Sequence, residues 1–250
     1  MCAVIGALVK KAKPEDFKRI KHMFLESSIR GLHATGISWV KDRKIHTIKH
    51  PLPADEFFEK VSLEDKVDSD GSLYLIGHCR YSTSDLDWNQ PIADENFSVV
   101  HNGVITQEPP EKWESHYGIK CEGKNDTELL FHSRKNGQLT NNPFEVWADS
   151  SFAVIEMFTD YHKWINFYRN GKRPLYFTYD EDDWFIYSTK DIGKKVFKTE
   201  SFETKPGYVY AYHGAQSSYV YAHNEQYFYK KERNWTRTDI RDLQHVNSNN

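Results

Sequence analysis

The chain has 250 residues, with 33 basic and 36 acidic side chains and a formal net charge of −3. That balance supplies no strong field for nucleic acid or an anionic membrane surface, so neither is expected as a partner. Aromatic residues make up 15% beside 28% charged residues, which suits a sheet-rich core under a charged surface, in one large domain or two small ones.

The three cysteines, Cys2, Cys79 and Cys121, are too few and odd in number for a disulfide scaffold and point to a reducing compartment. No apolar run approaches the roughly 20 residues of a spanning helix. No cationic stretch precedes the first apolar run, so no signal peptide is expected. Together these features predict a soluble, cytoplasmic protein.

Ala3–Val9 is an unbroken apolar run that predicts a buried strand. Pro14-Glu15-Asp16 predicts a helix start, with Pro in the first turn and acids at the positive end of the dipole. Phe17, Ile20 and Phe24 continue it at helical spacing to about Ser28. Ile37–Val40 and Lys44–Ile48 flank a polar Lys41-Asp42-Arg43 turn and predict a hairpin. A short helix is expected over Ala54–Val61, and a central strand over Ser72–Gly77. A further strand, Phe97–Val100, runs into His101-Asn102-Gly103. Asp126 stands where the N-cap of the next helix belongs.

Beyond Pro143 the pattern changes to short β-prone runs: Phe152–Phe158, Trp164–Tyr168, Leu175–Tyr179, Trp184–Tyr187, Tyr208–Tyr212 and Ser217–Tyr221. These read as an antiparallel meander. Helices early, strands late and no βαβ rhythm predict an α+β layered domain. No linker divides it, so residues 1–222 are expected to form one domain. Residues 223–250 are expected to be a polar extension, a surface helix with a frayed end.

Cys2 carries a chemical possibility of its own. Removal of Met1 would place a thiol and a free α-amine on one residue. The reference pKa values, about 8.5 for the thiol and about 7.7–8.0 for the amine, let the amine accept the thiol proton near neutral pH. One residue then supplies both nucleophile and base. Taken alone, Cys2 reads first as a small buried hydrophobe at the start of a strand. Asn102-Gly103 alone is a common hairpin-turn signal, Asp126 alone an N-cap, and Arg80 alone a surface cation.

The blocks in order change that balance. Arg30-Gly31-Leu32-His33-Ala34-Thr35-Gly36, His78-Cys79-Arg80-Tyr81-Ser82-Thr83, Asn89-Gln90-Pro91, His101-Asn102-Gly103 and Asn125-Asp126-Thr127-Glu128 follow Cys2. Tyr168-Arg169-Asn170-Gly171-Lys172-Arg173-Pro174-Leu175, Tyr187-Ser188-Thr189-Lys190-Asp191 and Lys205-Pro206-Gly207 come after them. Together they resemble the glutaminase domain of class II glutamine amidotransferases, which are N-terminal-nucleophile (Ntn) hydrolases. The resemblance runs from Cys2 to about Tyr212.

It implies an αββα four-layer sandwich of two stacked, mainly antiparallel sheets between helices. It also implies glutamine hydrolysis through a Cys2 thioester. Asn102 and Gly103 would form the oxyanion hole, and Arg80, Tyr81, Thr83 and Asp126 would bind substrate. Arg80 would clamp the α-carboxylate with its planar fork, helped by the Thr83 hydroxyl, and Asp126 would hold the α-ammonium. Arg30 would order the cysteine rather than react.

Three positions depart from the family pattern: Cys79, expected to be a packed core thiol, Ser84, and Asn170 in place of an Asp. No P-loop run is present. The resemblance therefore implies a stand-alone glutaminase that hands ammonia to a separate synthase subunit, with no cofactor. Among twelve histidines, His78 and His101 could approach each other. The absence of HxxxH or CxxC spacing, and of ligand spacing around Cys79 and Cys121, predicts no metal site. Two alternatives stay open: an N-terminal-cysteine hydrolase of another amide, and a catalytically inactive fold used for binding.

Overall fold

A computed structural model describes residues 2–82, 88–137, 143–159, 163–212 and 218–222. The strands are β1 (Ala3–Val9), β2 (Ala34–Lys41), β3 (Lys44–His50), β4 (Leu73–Arg80), β5 (Ile92–Ala93), β6 (Phe97–Val104), β7 (Ser151–Phe158), β8 (Trp164–Arg169), β9 (Tyr176–Asp180), β10 (Asp183–Tyr187), β11 (Phe202–Glu203), β12 (Tyr208–Tyr212) and β13 (Ser218–Ala222). The helices are α1 (Pro14–Ser28), α2 (Ala54–Lys60), α3 (Trp113–Tyr117), α4 (Thr127–Lys135), α5 (Pro143–Val146) and α6 (Lys190–Val196).

The strands form two antiparallel sheets. One runs β11-β9-β10-β1-β4-β2-β3, the other β13-β12-β8-β7-β6-β5. Every residue of β1 is buried, because its two faces serve two cores. Val4 and Leu8 join Ala153, Ile155 and Met157 of β7 in the layer between the sheets. Ala3, Ile5, Ala7 and Val9 face the opposite way, with Phe17, Ile20 and Phe24 of α1 and Phe57 of α2. The second sheet repeats this arrangement. Phe152 and Val154 leave β7 on its outer face and pack with Trp113, Leu129, Leu130 and Phe144 of the other helices. The order is helix, sheet, sheet, helix, the expected αββα sandwich.

The first helix follows the expected local chemistry. Pro14 opens it, and the Asp16 carboxylate accepts the Lys13 N–H at 2.9 Å, satisfying an otherwise orphaned donor. Cys79 is fully buried, its thiol 3.8 Å from the Phe24 carbonyl, as a core thiol should be.

One expectation is corrected. The strands after Pro143 do not form one meander. β7, β8, β12 and β13 belong to the second sheet, while β9, β10 and β11 complete the first. Asn102-Gly103 is not a turn: β6 continues through it to Val104, and Asn102 pairs with Ala153 and Gly103 with Phe152. The strand also absorbs the departure at Asn170. Its side-chain oxygen accepts the Phe152 N–H at 3.1 Å and its amide donates to the Ser150 carbonyl at 2.7 Å, fastening β8 to the start of β7. The expected extension over 223–250 lies outside the described residues.

Candidate active site

Cys2 sits at the free end of β1. Antiparallel pairing sets Ala3 opposite Cys79, which brings Arg80, at the end of β4, alongside Cys2. The Ser188 hydroxyl accepts the Val4 N–H at 2.8 Å and holds the start of β1. Arg30 donates from Nε to the Cys2 carbonyl at 3.2 Å. The segment carrying Arg30 can reach so far in because Gly31 has no side chain: a Cβ there would lie 2.2 Å from the Cys79 carbonyl oxygen.

The Cys2 thiol is 3.9 Å from the Tyr81 carbonyl. Burial pushes this thiol up from its ordinary pKa; the Arg80 charge pulls it down and the Asp126 charge raises it. Cys2, Arg80 and Asp126 therefore share one electrostatic neighbourhood. Tyr81 contributes its backbone there, while its ring lies against His33 at 4.9 Å and is half exposed. Thr83, the remaining expected carboxylate ligand, and Ser84 lie outside the described residues.

Arg80 is held by groups that follow it in sequence. Its Nη1 donates to the Trp88 carbonyl at 2.6 Å and to Asn89 Oδ1 at 2.8 Å. The Trp88 carbonyl also accepts the Asn125 amide at 2.7 Å. Asn125 Oδ1 accepts the Thr127 hydroxyl at 2.6 Å, and that hydroxyl meets His101 Nδ1 at 2.8 Å. One chain of polar contacts therefore joins Arg80 to the start of α4 and to β6.

Asp126 occupies the N-cap position but makes no side-chain cap bond. Its Oδ2 accepts the Ile105 N–H at 2.7 Å, and its Oδ1 lies 3.8 Å from His101 Nε2. Its capping task is taken by Asn125, whose side-chain oxygen accepts the Thr127 N–H at 3.1 Å. Asp126 is thus free of the helix and turned toward the end of β6.

Asn102 is 2% exposed and its side-chain N–H2 has no hydrogen-bond partner among the described residues. A buried, unpaired amide costs about 1–3 kcal/mol and is usually satisfied. Its neighbour Gly103 has φ +151°, and a Cβ there would lie 1.7 Å from the Ser151 carbonyl oxygen. Glycine is required here first by the close approach of β7. Beyond Gly103 opens a cavity of about 260 Å³ bordered by Val104, Ile105, Tyr117 and Ser150.

His78 and His101 do approach each other, as their places at the strand ends suggested. Both are fully buried, and burial holds each below the ordinary imidazole pKa. Each keeps one ring nitrogen, Nε2, without a hydrogen-bond partner among the described residues. Sequence reasoning missed several contributors. His101, Asn89 and Asn125 position the site, and the Arg173 charge reaches both Arg30 and His101. All four lie within the matched blocks, which was the one signal that could have found them.

No protein-family model matches the sequence, and neither does any curated relative. Comparison with solved structures identifies the architecture: the chain has the Ntn-hydrolase sandwich fold seen in glutamine amidotransferases. It superimposes on a glutamine phosphoribosylpyrophosphate amidotransferase from B. subtilis with a TM-score of 0.69 and 19% identity, over 91% of this chain and 50% of that one. It is also similar to an allosteric regulatory enzyme of purine biosynthesis, with a TM-score of 0.68 and 20% identity, over 90% of this chain and 50% of that one. The chain thus spans about half the length of each.

Proposed function

We propose that this chain hydrolyses glutamine to glutamate and ammonia, with Cys2 as nucleophile. The observation that carries the proposal is the convergence at one edge of the sandwich. A thiol, a cation at Arg80 and an anion at Asp126 share one neighbourhood, and a buried amide donor at Asn102 has no partner among the described residues. Free glutamine presents the complementary groups: an α-carboxylate, an α-ammonium and an amide carbonyl that becomes an oxyanion.

In this reading Met1 is removed. The Cys2 thiol, pushed up by burial, gives its proton to its own α-amine as sulfur attacks the δ-carbonyl. The oxyanion accepts hydrogen bonds from the Asn102 side chain and the Gly103 N–H. The C–N bond breaks, the amine returns the proton to the leaving nitrogen, and ammonia departs. Water then hydrolyses the γ-glutamyl thioester and restores the thiol. Arg80, with Tyr81 and Thr83, binds the carboxylate end, Asp126 the ammonium, and Arg30 orders Cys2 through its carbonyl.

Ammonia released into water is mostly protonated at neutral pH and is then not nucleophilic. We therefore assign its capture to a separate synthase subunit docked over the site. A cytoplasmic setting follows from the need to keep the nucleophile a free thiol; Cys2, Cys79 and Cys121 are all unpaired. Among the described residues no helix is long and apolar enough to cross a membrane.

The test is intact mass and peptide mapping after exposure to a glutamine-mimicking diazoketone. An adduct on Cys2 of a chain lacking Met1 is expected, together with glutamate production that Cys2→Ala abolishes. A chain that begins at Cys2 and takes no adduct would rule out a glutamine pocket.

A further inference from the structure

A second cluster of chemically active side chains flanks Asp126 in sequence and has no part in this reaction. Glu128 and His132 are four residues apart on α4, so they project from one face. The segment before the helix brings Cys121 up to them. The Cys121 sulfur, a Glu128 carboxylate oxygen and a His132 ring nitrogen all lie within 4.8 Å of one another. Glu128 is buried, while Cys121 and His132 are partly exposed. The cluster is therefore built into the fold and still reachable from solvent.

Glu128 is already oriented. Its Oε2 accepts the backbone N–H groups of Glu122, at 2.8 Å, and Gly123, at 3.0 Å. Such bonds fix a ligating carboxylate in place, and they leave Oε1 as the available donor atom. Burial and then the Glu128 charge push the Cys121 thiol up to about 12. A cation seated between the two would favour the thiolate and release its proton.

We propose that Cys121, Glu128 and His132 bind one divalent transition-metal ion, with Zn2+ as the preferred occupant. A thiolate, an imidazole and a carboxylate are the donors zinc takes, whereas Mg2+ and Ca2+ want oxygen alone. Lys49 acts on the same carboxylate, and its charge disfavours any ion held by simple attraction. Zinc–sulfur bonds of about 2.3 Å and zinc–nitrogen or –oxygen bonds of about 2.0–2.2 Å put tetrahedral donors about 3.2–3.7 Å apart. The widest separation here must shorten by about 1 Å, within the reach of side-chain rotation. The fourth position is left for water.

Cys121 was set aside from sequence because it has no cysteine at ligand spacing. Its partners come instead from successive turns of a helix. The ion would fasten residues 121–123 to α4, and with them the intervening Asn125 and Asp126. The inference stands independently of glutamine hydrolysis, because binding is read without substrate.

The test uses the full chain, stripped with a chelator, equilibrated with Zn2+ or Co2+ and desalted, with Cys2→Ala protein alongside to remove chelation by an N-terminal cysteine. One ion per chain is expected in both. The cobalt form should show thiolate-to-metal charge transfer and tetrahedral d–d absorption. Cys121→Ser should lose the charge-transfer band, and it and His132→Gln should each weaken binding more than about tenfold. Circular dichroism checks that each variant folds, and His132→Gln carries the test if Cys121→Ser does not. Mg2+ should not compete. Retention of no ion would overturn the proposal, and so would an ion whose spectrum and affinity both variants leave unchanged.

Discussion

At the scale of single residues, two side chains that bear on the proposed reaction depart from the ordinary structural role of their position. Asn102 holds a buried amide with no partner among the described residues, and Asp126 stands at a helix start without capping it. Asn102→Ala is expected to lower kcat for glutamine hydrolysis by about 10²–10³-fold with little change in KM, since the donor acts on charge that develops in the transition state. Steady-state kinetics checks the split. Asp126→Asn still offers an oxygen to the Ile105 N–H, so the thermal midpoint should hold within a few degrees. Loss of the carboxylate should cost about 1.5–3 kcal/mol of glutamine binding, roughly ten- to a hundredfold in KM. A midpoint that collapses instead would make Asp126 a structural residue.

Among the elements, β6 and β7 set the tolerances. Gly103→Ala forces a side chain against the Ser151 carbonyl at a backbone angle that L-residues avoid. It should destabilise the protein by at least about 2–3 kcal/mol, read from the urea midpoint. The outer face of β7 carries Glu156, fully buried, paired in a two-pronged contact with Arg134 of α4 at 2.8–3.1 Å and bonded to Tyr168. Arg134→Met leaves that carboxylate without its cation and should cost about 3–5 kcal/mol. Adding Glu156→Gln should recover part of the loss, and a double variant no better than the single would locate the cost elsewhere.

For the molecule as a whole, two neutral histidines buried within it tie stability to pH. Burial depresses the folded-state pKa of His78 and of His101 below the unfolded value of about 6.5. Their contribution is complete above about pH 6.5 and is lost as pH falls from there toward the folded values, because the unfolded chain then binds protons the folded chain refuses. Each should add a slope of up to about 1.4 kcal/mol per pH unit in that window. Urea titrations between pH 6.5 and 5 should show the fall, and His101→Gln should remove its share of the slope. An unchanged slope would mean that His101 titrates normally in the folded protein.

Much of this was legible in the sequence, for a local reason. An unbroken apolar run, a Pro with acids behind it, and apolar residues at helical spacing act within a few residues, so β1 and α1 fall where their residues predict. The order of the matched blocks likewise carried the fold class and the set of candidate site residues. What the sequence could not supply was the partition of the later strands between two sheets, since β-propensity does not say which sheet edge is open to receive a strand. Nor could it show that Asn102-Gly103 continues a strand, because only the approach of β7 makes that backbone necessary. The meeting of Cys121 with Glu128 and His132 and the contact between His78 and His101 depend on a loop and strands arriving from elsewhere in the chain. Local chemistry therefore determined the elements and the cast of residues, and long-range packing decided which of them face one another.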